Sequence, residues 1–277
     1  MINDKISASE EHQLAIQIRP PNRPKSIFST MALMTSLIMM LPFYLLIYPM
    51  GHSLRRRYAS VWYRIACRLS GVRFKVVGKQ TSGSATLLVS NHVSYLDIPI
   101  LGAVTNATFI SKAEVSSWPL FGFLAKIANT LFIERNPSKS KLQIKNLTKR
   151  LMEREPMILF AEGTSSPGST VLPFKSALFG VMDLFPHDSV LVVQPVSLAY
   201  KSFHNGDPLS EQDRALFGWY GDMELLPHLR ALLGLKSVSV IVTFHDPAPA
   251  SNFQNRKELA AHCHQQVSDG LEQELTV

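Results

Sequence analysis

The chain has 277 residues, a formal charge of +7 and two cysteines, Cys67 and Cys263, far apart and without CxxC or Cys/His ligand spacing. A disulfide framework and a structural zinc site are thereby disfavoured, and no metal is expected. Positive charge concentrates at the N-terminal end, +9 over residues 1–80 and +4 over 81–160 against −6 over 161–277, which suits an anionic membrane surface better than a nucleic-acid groove.

Residues 1–26 read as a basic tail. Residues 27–51 carry no charged side chain and are long enough to cross a bilayer. Arg19, Arg23 and Lys25 precede this segment and Arg55, Arg56 and Arg57 follow it, so the positive-inside rule gives no orientation. Pro42 can break the segment into two half-length helices. Such a re-entrant hairpin would leave both basic flanks on the cytoplasmic face; a single span is the other reading. Residues 58–69 set Val61, Trp62, Ile65, Ala66 and Leu69 at helical spacing, with Arg57, Arg64 and Arg68 elsewhere on the wheel. That pattern fits an interfacial amphipathic helix or a core helix packed on the domain. Residues 27–70 are therefore expected to be membrane-associated helices and 71–277 a folded domain.

From there short apolar runs alternate with helical stretches. Strands are expected at 73–77, 86–90, 108–110, 130–133, 157–160, 190–198 and 238–244, and helices at 98–103, 120–127, 141–154, 177–184 and 256–271. The alternation predicts an α/β fold with a central mixed, mostly parallel sheet flanked by helices. Residues 203–236, with polar turns and a short apolar helix, read as an insertion over the site or as a lid.

Three polar segments follow expected strands. Asn91-His92-Val93-Ser94-Tyr95-Leu96-Asp97 follows 86–90 and sets a histidine five residues before an aspartate. An imidazole there can accept a proton from a hydroxyl, and a carboxylate fixes its tautomer and stabilises the imidazolium. Phe160-Ala161-Glu162-Gly163-Thr164-Ser165-Ser166 follows 157–160. Gly163 lets the backbone approach a ligand, Thr164 and its neighbouring amides offer donors to an anion, and Glu162 is an acceptor. The spacing Gly163-x4-Gly168 resembles a phosphate loop, but Ser169 stands where that motif needs lysine, which excludes a nucleotide-binding loop. Leu131-Phe132-Ile133-Glu134-Arg135 puts an arginine just past a strand, where it can fork onto phosphate or carboxylate oxygens. Lys112 and Lys175 are further cations, and the set suggests an anionic substrate.

In this order the segments resemble the glycerolipid acyltransferase family that includes the lysophosphatidic acid acyltransferases. The resemblance spans roughly residues 70–200 and rests on Asn-His-x4-Asp at 91–97, Phe132-Ile133-Glu134-Arg135, Glu-Gly-Thr at 162–164 and Gln194-Pro195-Val196-Ser197. Ser111-Lys112-Ala113-Glu114 and Pro173-Phe174-Lys175 also resemble members. It implies transfer of a fatty acyl group from acyl carrier protein or acyl-CoA to a lysolipid hydroxyl, at a membrane and with no cofactor beyond that co-substrate. His92 would be the base and Asp97 its orienting partner. Arg135, Glu162, Gly163 and Thr164 would bind the acceptor head group, helped by Lys112 and Lys175. No Gly-x-Ser-x-Gly elbow is present, so direct attack without an acyl-enzyme is expected. The third motif departs from the family's Phe-Pro-Glu-Gly-Thr-Arg, with Ala161 for the proline and Ser165 for the arginine. The acceptor expected first is 1-acyl-sn-glycerol-3-phosphate, giving phosphatidic acid. The lost arginine and the Glu-Gly-Thr-Ser-Ser wording raise the alternative of lyso-ornithine lipid. From other classes, a non-catalytic membrane lipid-binding protein and a thioesterase remain open.

Overall fold

The computed structural model describes residues 7–134, 137–186 and 188–276, leaving aside the side chains of 137–141. In chain order its elements are α1 (Ala8–Ile18), α2 (Arg23–Leu46), α3 (His52–Leu69), β1 (Val72–Val77), β2 (Ala85–Ser90), α4 (Asp97–Val104), β3 (Thr108–Lys112), α5 (Phe121–Ile127) and β4 (Leu131–Ile133). They continue with α6 (Pro137–Met152), β5 (Met157–Phe160), α7 (Val181–Leu184), β6 (Leu191–Phe203), α8 (Glu211–Ala215), α9 (Leu225–Leu232), β7 (Val238–Phe244), β8 (Ala248–Pro249) and α10 (Arg256–Thr276).

One mixed sheet has the order β1-β7-β6-β2-β5-β3-β4, with β8 paired to β6. The run from β6 through β2, β5 and β3 to β4 is parallel throughout. β7 joins β6 antiparallel and carries β1 parallel to itself. β2 is buried along its whole length, which is why it reads as continuous apolar sequence. Its side chains alternate between two cores. Leu88 faces Cys67 of α3 and Ile100 and Leu101 of α4, while Leu87 and Val89 face Leu147 and Leu151 of α6 and Leu259 and Cys263 of α10. The α/β sandwich expected from strand–helix alternation is the fold observed.

Three regions differ from the sequence reading. Ala8–Ile18, inside the expected tail, is a helix closed by a Ser7/Glu10 capping box and tied to the insertion by an Arg19–Asp213 ion pair of 2.8 Å. α2 runs straight through Pro42. Proline removes one amide donor, but the chain turns only at Tyr48–Met50 and Gly51, whose φ of 100° suits glycine alone. The hairpin is therefore α2 against α3, joined across by Tyr58 Oη donating to the Met40 carbonyl at 3.0 Å. α3 is itself packed on the domain. Arg64 Nε donates to the Ala103 carbonyl at 3.0 Å, and a side chain at Gly102 would strike the Tyr63 ring. β6 extends five residues beyond its expected end, because past β2 it finds a second partner in β7.

Candidate active site

Parallel neighbours present the ends of their strands along one edge. β2 leads into His92, β5 into Glu162, and β3 ends at Lys112; Arg135 follows β4 but lies outside the described residues. At a strand spacing of about 4.8 Å, Lys112 stands two strands, or about 10 Å, from the strand that carries His92.

The start of the catalytic loop is held by side-chain mimicry of a strand. Asn91 Oδ1 accepts from the Leu198 amide at 2.8 Å and its Nδ2 donates to the Leu198 carbonyl at 3.0 Å, extending the β2–β6 ladder beyond Ser90. His92 then turns its Nδ1 onto Asp97 Oδ2 at 2.7 Å. The same oxygen accepts from the amides of Val93 at 2.7 Å and Ser94 at 3.0 Å, and Oδ1 accepts from the Tyr200 hydroxyl at 2.7 Å. Asp97 is wholly buried and its partners there are donors, so Nδ1 carries the imidazole proton and Nε2 the lone pair. The ring stacks on Phe160 at 4.1 Å between centroids, with Phe109 behind. A half-buried imidazole with a fixed tautomer and an available Nε2 is equipped for general-base chemistry.

Glu162, expected at the acceptor head group, is turned onto the backbone. Its carboxylate is 1% exposed, and its oxygens accept from the His92 amide at 2.8 Å and the Leu172 amide at 3.1 Å. It braces the loop that carries His92. Burial pushes its pKa up to about 8, against the pull of those two amides. Gly163, at φ 65°, passes under the Lys175 side chain, and a Cβ there would lie 3.1 Å from Nζ. Lys175 thus lies over Gly163, which follows Glu162 in the chain, and Thr164 beyond it is exposed. Burial pushes the thiols of Cys67 and Cys263 up to about 12, which leaves them inert as nucleophiles.

Part of the 203–236 segment lies against this edge. Trp219 donates its amide to the Val93 carbonyl at 3.0 Å, and its own carbonyl accepts from the Ser165 hydroxyl. Its indole meets Trp118 edge-on at 5.8 Å and Tyr95 at 6.1 Å. Tyr95 in turn hydrogen-bonds His228 Nδ1 at 2.8 Å. Ser166 donates its amide to the His92 carbonyl at 2.9 Å. Phe160, Tyr200 and Trp219 were not singled out from sequence. Tyr200 lies two residues past the strand end expected at Leu198, so the sequence carried no signal for its buried phenol.

Residues 73–199 match the family model described as Acyltransferase. The lyso-ornithine lipid O-acyltransferase of Brucella abortus is 40% identical over 239 residues, covering 84% of this chain and 89% of that protein. The 1-acyl-sn-glycerol-3-phosphate acyltransferase of Neisseria gonorrhoeae is 30% identical over 177 residues, covering 64% and 65%. The solved structure of the 1-acyl-sn-glycerophosphate acyltransferase PlsC from Thermotoga maritima has the same fold, with a TM-score of 0.66 at 20% identity over 91% of this chain and 95% of that one. The chain belongs to the glycerolipid (lysophospholipid) acyltransferase family and is an acyltransferase.

Proposed function

We propose that the enzyme moves a fatty acyl group from a thioester donor, acyl carrier protein or acyl-CoA, to the hydroxyl of lyso-ornithine lipid. The bond that carries the chemistry is His92 Nδ1 to Asp97 Oδ2 at 2.7 Å, which leaves Nε2 to take a proton. As the acceptor oxygen attacks the thioester carbonyl, its proton passes to Nε2 and Asp97 stabilises the imidazolium. Collapse of the tetrahedral intermediate expels the thiolate, which recovers the proton from His92. The ester forms, the thioester breaks, and no acyl-enzyme or cofactor takes part.

Two observations favour this acceptor over 1-acyl-sn-glycerol-3-phosphate, reversing the order drawn from sequence. Relatives named lyso-ornithine lipid O-acyltransferase match more of the chain, at higher identity, than those named 1-acyl-sn-glycerol-3-phosphate acyltransferase. Ser165, where the family's arginine stands, spends its hydroxyl on the Trp219 carbonyl. Trp118, Trp219 and Tyr95 line that side as aromatic surface, suited to a zwitterion without phosphorus. Lys175 above Gly163 would meet its carboxylate.

The α2–α3 hairpin would seat the enzyme on the bilayer. α2 exposes Phe28, Met31, Ile38, Phe43 and Leu46, and 24 residues give it a length of about 36 Å. Residues 27–70 would be the membrane-associated unit and 71–277 the acyltransferase domain, with the site on the cytoplasmic face. Membranes carrying the enzyme, supplied with acyl thioester and a panel of lysolipids, test the acceptor. The expected outcome is ester formation on lyso-ornithine lipid well above that on lysophosphatidic acid. The opposite preference would restore the phosphate acceptor, and thiol release with no lysolipid present would mark a thioesterase.

A further inference from the structure

We propose that Tyr200 is a positioning residue for the acyl transfer, acting through Asp97 to hold the imidazole of His92 in its working orientation. Tyr200 lies one residue beyond the segment matched by the family model and outside the four motifs that carry the family resemblance.

The argument begins with the carboxylate. Oδ2 of Asp97 receives three hydrogens, from His92 Nδ1 and the amides of Val93 and Ser94. Oδ1 receives its hydrogen bond from Tyr200 at 2.7 Å, the donor to that oxygen among the described residues. Asp97 is wholly buried, so water cannot replace a missing donor. Without the phenol, one oxygen of a buried carboxylate stands bare. The group then gains by rotating toward the amides it already shares, and the imidazole loses its fixed partner.

The donor is itself held from three sides. Tyr200 is fully buried and pairs with Val240 across the β6–β7 ladder, where the register shifts immediately afterwards. Its ring stacks on Phe217 of the insertion, 6.2 Å between centroids at 26°. Two residues earlier on β6, Leu198 takes both hydrogen bonds of the Asn91 side chain. The part of β6 that outruns β2 thus grips the catalytic loop twice, at Asn91 where it begins and at Asp97 where it ends. Burial keeps the phenol protonated far above neutrality, so it remains a donor at any working pH.

The test is a double-mutant cycle on the full-length enzyme in vesicles, reading thiol release with a lysolipid acceptor. Tyr200→Phe keeps the ring and its stacking and removes the hydrogen bond to Asp97 together with the phenol's bond to the Ser94 side chain. It should lower kcat on the order of ten- to a hundredfold, with KM for donor and acceptor within about twofold. In an Asp97→Asn background, followed by its residual turnover at high enzyme concentration, the same change should add less than about twofold. Additive losses, or a loss expressed in KM, would overturn the proposal and leave Tyr200 a packing residue. Should Tyr200→Phe fail to fold, replacement of Tyr200 by 3-fluorotyrosine keeps both ring and hydroxyl while strengthening the donor. That draws charge from Asp97 and weakens the base, so kcat should fall with an unchanged melting temperature; an unchanged kcat would count against the proposal.

Discussion

The catalytic loop and the α2–α3 hairpin meet opposite standards of completeness. In the loop Asn91 and Asp97 are buried and bonded at every side-chain oxygen, and Glu162 takes the His92 amide on one oxygen and the Leu172 amide on the other. α2 leaves Phe28 71% and Ile38 69% exposed. A site that must place one nitrogen against one proton satisfies its polar groups from within the chain. A segment proposed to meet a fluid lipid needs only apolar area, and that partner would come from outside. The difference teaches that precision and attachment are separable properties of this molecule.

The sharpest way to break that separation is His92→Ala. Turnover should fall by at least about a thousandfold, while sedimentation with vesicles and the melting temperature stay unchanged. Near-normal activity would remove His92 from the mechanism. The converse experiment replaces Phe28, Ile38 and Phe43 with serine. Each apolar side chain withdrawn from lipid removes about 1.5–3 kcal/mol, so vesicle affinity should drop by more than a hundredfold while turnover on a water-dispersed short-chain acceptor persists. Glu162→Gln sits on the loop side of the comparison. An amide nitrogen turned toward the backbone N–H of His92 or Leu172 should cost about 1–3 kcal/mol, read as a lower melting temperature together with slower turnover.

The smallest effect concerns the dock of α1. His12 and His228 are buried with rings 4.6 Å apart, and burial lowers both pKa values, that of His228 to about 3. The unfolded chain therefore binds more protons than the folded one below pH 6.5, so stability is complete above that pH and is lost as pH falls. Between pH 7 and 5 the loss from His228 should reach about 2 kcal/mol, and His228→Leu should remove that part of the slope. Melting temperatures of the two proteins at both pH values decide the matter.

The parts legible in the sequence were those written locally. β2, β5 and β7 stand out because a buried strand is a short run of apolar residues between polar turns, and His92, Asp97 and the loop after β5 sit where those runs stop. What stayed hidden depends on partners far along the chain. The Tyr200–Asp97 bond spans 103 residues and the Ser165–Trp219 bond spans 54. Glu162 was placed at the acceptor head group by family resemblance alone. Only the fold shows two amides converging on it. α1 was missed because its buried face is little more than His12 and Ala15, too narrow a stripe to announce a helix.

The two adjoining carbonyls of His92 and Val93 accept from different places, one from Ser166 and the other from Trp219. If the aromatic surface selects the acceptor, as proposed, a mutation that reshapes it also pulls on the peptide unit beside His92. On that reading residues 163–166 and 217–223 act on the acceptor as one unit. Exchange of either segment alone between relatives should yield slow enzymes before it yields switched ones.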